Sequence, residues 1–413
     1  MTGPAPDPAS TTVSVPAVRT LAGTWARNLD AMAQEMYEFL AERIPHADEP
    51  DIAGLTLASC ASNIEAILSM IRHGIPATAT EAPVAALEHA RKMAVRGYGI
   101  DATLRFYRLG HAYFWERWST ELVAAIEDRD ELVTAMRETA VFAFHYIDAV
   151  SSRVGTEYLA ERDRRQRRAA VVRDDVVRAL LAGEPVDPAA AEPALGHQLR
   201  GPQRAVLWWT DDGDQTTLER AAGVLARAVG VRPLLVPDGP DALGGWFGGD
   251  HPLPDGWSTL VRDAAPDVHV ALGGVHEGIE GFRRSRDEAD RARRVARLGG
   301  RRAPTVTAYV DIALADLLSR DLDAARAFVR GELGPLAGPG PAAQRARDTL
   351  AVVAAPGGGI ATAARELGVH RNTVLQRVRR AEELRGRPVD ERPGELHAAL
   401  VLARILGASV LDD

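Results

Sequence analysis

The sequence predicts a multidomain, mainly α protein: an all-α N-terminal domain, an α/β ferredoxin-like middle domain and an all-α helix-turn-helix C-terminal domain. Three observations carry this. From Leu21 to Leu181 apolar residues recur at helical spacing. Between Ala205 and Val310 short apolar runs flanked by Gly and Pro alternate with amphipathic stretches. From Gly359 to Arg380 two helical patterns meet at a Leu-Gly-Val turn.

Length sets the domain count. A chain of 413 residues exceeds what one hydrophobic core organises. Its 46% hydrophobic and 26% charged content is that of a globular protein. No stretch approaches the ~18–20 uncharged apolar residues of a membrane span. Met1 to Val18 is rich in Pro, Ala, Ser and Thr, without a basic start and apolar core. It reads as a disordered lead-in, not a signal peptide, so a cytoplasmic location and no membrane partner are expected. Cys60, the only cysteine, excludes an intramolecular disulfide and lies in an apolar-periodic stretch that makes it a buried hydrophobe. Lys92 is the only lysine among 49 basic residues, a bias that with the Ala, Gly and Pro load suggests GC-rich bacterial coding.

The N-terminal helices follow from spacing: Leu29, Met32, Met36, Phe39 and Leu40 share one face, as do Leu104, Tyr107, Leu109 or His111, Phe114 and Trp118. An aromatic group with His111 and His145 at its edge suits a core, or a ligand or haem pocket. From Asp130 to Leu181 only Gly155 interrupts one or two long helices, which could serve a dimer interface. The run Arg162 to Arg168 reads as a solvated helix surface. The expected division is a lead-in over 1–18, an all-α domain over 19–160, a connecting helix over 161–185, an α/β domain over 195–335, and a helix-turn-helix domain over 341–413. Gly183-Glu184-Pro185 marks one boundary and the Gly/Pro-dense stretch Pro335 to Pro341 supplies a linker at the other.

In the middle domain, strands are expected at Ala205–Trp209, Val231–Val236, Leu243–Gly248 and Val268–Leu272, with an edge strand at Val306–Val310. Helices are expected at Thr217–Val229, Trp257–Ala264 and Gly278–Leu298, completing a β-α-β-β-α-β order. Gly273 to Gly278 reads as a strand-to-helix turn; it lacks the spacing of a phosphate loop.

The C-terminal pattern carries the functional signal. A helix ends at Gly368, where a left-handed turn needs no Cβ. A second begins near His370 or Arg371. At 100° per residue, Val374, Val378, Ala381 and Leu384 form an apolar stripe. Asn372, Gln376 and Arg379 lie opposite, flanked by Thr373 and Arg380. Amide and guanidinium groups read base edges and hold phosphates. Between Arg365 and Arg387 seven arginines stand against three acids, a net of +4 in a chain of net −8. The candidate DNA-binding residues are His370, Arg371, Asn372, Thr373, Gln376, Arg377, Arg379 and Arg380, with double-stranded promoter DNA as partner. Glu383, on the face of Gln376, should end the groove contact.

The run Thr362-Ala363-Ala364-Arg365-Glu366-Leu367-Gly368-Val369-His370-Arg371-Asn372-Thr373-Val374 resembles the C-terminal helix-turn-helix of the PucR/CdaR family of bacterial regulators. Arg377 to Gly386 and the leucine-rich final helix continue the likeness; the family commonly has an aromatic residue where Gln376 stands. Gly281-Phe282-Arg283-Arg284-Ser285 is similar to the family's GGDEF-like middle domain, and the N-terminal patterning resembles the sensor-like domain of RsbRD-type proteins. The resemblance implies an effector-responsive, homodimeric or larger oligomeric regulator of catabolic or secondary-metabolic genes.

Two other functions compete. A nucleotide-processing enzyme on the middle domain would need metal-holding carboxylates; Asp211 and Asp212 follow the first strand. The hairpin, however, reads Gly244-Gly245-Trp246-Phe247, apolar where acids are needed. No Gly-x-Ser-x-Gly or His-Glu-x-x-His motif occurs. The expectation is therefore no catalytic residue, no metal and no cofactor. A protein-interaction scaffold in stress signalling is the other alternative.

Overall fold

A computed structural model describes residues 11–211, 214–300, 305–355 and 357–411. The chain divides into two compact units, Met1–Ala170 and Val171–Asp413.

The first unit is built from α1 (Pro16–Ala26), α2 (Leu29–Ala41), α3 (Pro50–His73), α4 (Val84–Arg96), α5 (Ile100–Ala125) and the greater part of α6 (Arg129–Ala182). Pro50 in the first turn of α3 and Gly74 at φ 62° beyond its last set that helix's limits. α3 lies against α1, α2 and α4 and buries Ile52, Ile64, Leu68 and Ile71. By length and composition α3 could cross a membrane, although Glu65 breaks its uncharged run and Ser, Thr and Asn its apolar one. Here it is a core helix. Trp25 meets Trp118 edge-to-face at 4.9 Å, and Phe114 stacks on Trp118 at 5.7 Å. Cys60 is buried, and burial pushes its thiol up to about 12.

Two expectations change here. The lead-in is shorter than 1–18: residues 1–10 lie outside the described residues, but Val13, Val15 and Val18 are buried and α1 begins at Pro16. Those valines find an apolar surface that the Pro-rich composition concealed. Nor is 161–185 a separate connecting helix, since α6 runs unbroken from Arg129 to Ala182. A glycine inside a helix costs only about 1 kcal/mol, and buried Val150, Val154 and Tyr158 hold α6 in place across Gly155. Arg164 joins Glu157 and Glu161 at 2.8 and 2.9 Å, and Arg162, Arg167 and Arg168 are exposed.

The second unit opens with α7 (Pro188–Leu195), where a boundary stretch was expected. Asp187 caps it through the Ala189 N–H at 3.0 Å and Pro188 fits its first turn, so a Pro/Ala run becomes a helix. A five-stranded sheet follows in the order β2-β3-β1-β4-β5. Its strands are β1 (Pro202–Trp209), β2 (Leu234–Pro237), β3 (Ala242–Gly248), β4 (His269–Glu277) and β5 (Val306–Ala308). β1 pairs antiparallel with β3 and β4, β2 antiparallel with β3, and β5 parallel to β4. The first four strands have the ferredoxin-like arrangement.

Strand alternation splits the core. Val206, Trp208, Leu243, Phe247, Val270 and Leu272 face α8 (Gln215–Val229) and α9 (Trp257–Ala264). Ala205, Leu207, Trp209, Trp246 and Ala271 face α10 (Gly278–Gly299), where Phe282 stacks on Trp246 at 4.2 Å. Gly273–Glu277, expected as a turn, continues β4. Its glycines admit the helix: a Cβ on Gly273 would overlap the Ser285 carbonyl, and one on Gly281 the His276 carbonyl. Ser285 Oγ accepts the Ala205 N–H at 2.7 Å and donates to the Gly274 carbonyl at 2.6 Å, beside the irregular register at Arg204/Val206.

The remaining helices are α11 (Tyr309–Leu318), α12 (Leu322–Leu333), α13 (Pro341–Val353), α14 (Ile360–Glu366), α15 (Arg371–Arg385) and α16 (Pro393–Leu406). The linker expected at 335–341 is instead held in place. Leu336 and Ala337 are fully buried, and Arg347 donates to the Leu336 carbonyl and, at 3.1 Å, to that of Gly338. α16 lies against α10, α11 and α12, so the C-terminal helices share one core with the α10 face of the sheet.

Candidate nucleic-acid interface

The turn between α14 and α15 is made locally. Gly368 sits at φ 63°, and the Val369 N–H reaches back to the Ala364 carbonyl at 3.0 Å. His370 then starts α15: its Nδ1 accepts the Asn372 N–H at 3.2 Å. That use of Nδ1 leaves Nε2 as the outward-facing ring nitrogen. Gly386 at φ 70° ends the helix.

Val374, Val378 and Ala381 are buried and Leu384 is half-buried against the same core. Arg371, Asn372, Gln376, Arg379 and Arg380 are exposed, as is His370; Thr373 and Arg377 are half-buried at the margin of the apolar stripe. The helix thus presents polar groups on one side and anchors with the other.

The charge is smaller than the residue count implied. Arg385 is fully buried on the inner stripe, donating to the Glu332 carbonyl at 3.0 Å and the Pro388 carbonyl at 3.3 Å. Burial is the main influence on its guanidinium and lowers its pKa. Arg387 and Arg392 meet the Glu332 carboxylate at 3.4 and 2.8 Å. These arginines fasten α15 and α16 to α12. The spacing 374, 378, 381, 385 is the signal that places Arg385 inside. Arg380 pairs with Glu383 at 2.9 Å, both well exposed. Among the described residues Arg371, Arg377 and Arg379 of α15 carry no ion pair, and of these Arg371 and Arg379 are exposed.

In the middle region, Gly244 and Gly245 lie within β3, where added side chains would meet Arg286 Nη1 at 2.7 Å and Trp208 at 2.8 Å. Arg286 and Arg293 share Asp238 and Asp290 at 2.6–2.8 Å. Burial raises the Asp238 pKa, but the two guanidiniums outweigh it and hold the carboxyl below its ordinary range. Asp211 is exposed beyond β1, and Asp212 lies outside the described residues.

Residues 30–173 match the RsbT co-antagonist protein rsbRD N-terminal domain, residues 182–295 the GGDEF-like domain, and residues 346–403 the PucR C-terminal helix-turn-helix domain. No curated protein matches the chain. Among solved structures the chain is similar to a regulator of polyketide synthase expression from Bifidobacterium adolescentis, at 21% identity over 57% of this chain and 93% of that one, with a TM-score of 0.30. The three domain matches, in this order, give the chain the architecture of a PucR-family transcriptional regulator.

Proposed function

We propose that the chain is a sequence-specific, effector-responsive DNA-binding regulator that lays α15 in the major groove. The observation that carries this reading is the split of α15, with Val374, Val378 and Ala381 buried and Asn372, Gln376, Arg371 and Arg379 exposed. His370, Thr373, Arg377 and Arg380 would hold the adjoining phosphates. One short helix reads few base pairs, so the acting form is a homodimer or larger oligomer on paired half-sites, in the cytoplasm. Residues 19–160 would sense, 195–335 couple and 341–413 read. The middle region acts without catalysis: its hairpin arm Gly244–Phe247 lies inside the sheet and offers no acid.

Genomic fragments recovered with the protein from its source cells identify the operator. On that operator, Arg371→Ala and Arg379→Ala should each weaken binding by about 1–3 kcal/mol with the fold intact. Unchanged affinity in both variants would remove α15 from the interface. Turnover of nucleoside triphosphates with magnesium would replace this reading with an enzymatic one.

A further inference from the structure

The first unit holds a cavity of about 50 Å³ lined by α2, α3, α4, α5 and α6. Met36, Ile64, Phe106 and Phe114 form much of its apolar wall. Among the described residues, no Asp, Glu, Lys or Arg lines it. Among its polar groups, the Tyr146 hydroxyl donates to Asn63 Oδ1 at 3.0 Å, the Tyr107 hydroxyl to the Ala86 carbonyl at 3.0 Å, and the Thr56 hydroxyl to the Ile52 carbonyl at 3.1 Å.

His89 differs from these. It is 1% exposed, borders the cavity, and neither ring nitrogen has a protein partner among the described residues. Its ring meets Phe106 edge-on at 4.8 Å. A buried polar group left unpaired costs about 1–3 kcal/mol, so such a group calls for a use. Burial pushes the imidazole down to about 4, which keeps it neutral at physiological pH. A neutral imidazole offers one N–H donor and one nitrogen acceptor.

We propose that this cavity is a ligand site for a small neutral molecule, an apolar body of a few carbons bearing a hydroxyl or carbonyl group that hydrogen-bonds to His89. Neutrality follows from the wall: no counter-ion lines it, and an unpaired charge would lose its hydration there. Size follows from the volume: at about a third of the ~150 Å³ apolar cavity that admits benzene, the space takes the polar end and first carbons, and the rest of a short chain enters only as Met36 yields toward the adjoining cavity. Access follows from a second, larger cavity of about 270 Å³ that shares Met36, Ile64 and Phe114 with the first. Met36 is the movable part of that shared wall, because an unbranched thioether changes rotamer readily. Gly110 leaves it room: a Cβ there would lie 3.6 Å from Met36 Sδ.

That the ligand is the effector rests on the regulator reading proposed above; the site itself does not. The test titrates the full chain with n-butanol, butyrate and n-butylamine, following saturation-transfer NMR and the thermal midpoint of the first unit. Saturable binding of n-butanol, and none of the two charged analogues, is expected. His89→Phe keeps the ring against Phe106 and should weaken n-butanol about tenfold, the worth of one lost hydrogen bond. His89→Gln should restore part of it. No saturable n-butanol binding, equal binding by wild type and His89→Phe, or comparable binding of butyrate would each overturn the proposal. So would a Soret band on adding haem that His89→Phe abolishes. Operator binding measured on the same samples keeps the two readings apart, since His89→Phe leaves α15 untouched.

Discussion

The unpartnered imidazole of His89 makes a prediction about stability at the scale of one residue. Its folded-state pKa lies near 4, below the ordinary 6.5. As pH falls below 6.5 the unfolded chain binds this proton first, so stability present above pH 6.5 is lost as pH falls toward 4. At pH 5 the loss amounts to about 2 kcal/mol, by the 1.36 kcal/mol per pKa unit of linkage. Half-buried His111 is shifted the same way by burial and adds to the acid sensitivity. Urea midpoints at pH 7 and pH 5 for wild type and His89→Phe isolate the His89 share: the variant should lose less on acidification, and an equal loss in both would contradict the assignment. Neither the unpaired state of His89 nor the burial of Arg385 is a property of a residue type. Sequence spacing placed Val374 and Val378 inside and Asn372 and Gln376 outside, because both faces of α15 follow from helical geometry alone. It counted Arg385 with the surface charge although its spacing continues the buried stripe, because a guanidinium is ordinarily solvated and Glu332, which receives it, is far away in sequence.

Among elements, α10 on β4 sets the tightest tolerance. Gly273→Ala should displace α10, break the two Ser285 Oγ hydrogen bonds and cost about 3 kcal/mol or more, combining overpacking with lost hydrogen bonds. Gly331→Ala, on exposed α12 with nothing within 4 Å of the new methyl, is the control and should be neutral or slightly stabilising. Denaturant midpoints that fall equally for both would refute the close-approach role of Gly273. Here the sequence was half legible. Alternating apolar residues marked each strand, but Gly273-Gly274 looked like a turn, since glycine marks close approach and chain reversal alike. Glu332 shows the same limit between helices: Glu332→Ala should unfasten α15 by leaving Arg385 buried without its carboxylate, a loss of about 3–5 kcal/mol. A near-normal thermal midpoint in that variant would show that the arginines are satisfied without it.

Across the whole molecule, the expected three domains become two compact units. One draws on residues between Val13 and Tyr158, the other on residues between Val177 and Leu411. The Gly/Pro composition of 335–341 suggested independence for the helix-turn-helix, yet Leu336 and Ala337 are buried because α13 and α15 close over them, which no local pattern encodes. Because the helix-turn-helix shares a core with the α10 face of the sheet, α15 moves with that face, and on the proposed function no slack linker separates the middle region from it. Two compact units should also melt separately. Guanidinium unfolding followed by tryptophan fluorescence should resolve two transitions, since Trp25, Trp115 and Trp118 report the first unit and Trp208, Trp209, Trp246 and Trp257 the second. Trp118→Ala, which empties a fully buried position, should lower the first transition by about 3–5 kcal/mol and leave the second in place. Leu400→Ala in α16 should do the reverse, shifting sheet and helix-turn-helix together; a third transition confined to the C-terminal helices would restore the linker that the sequence suggested.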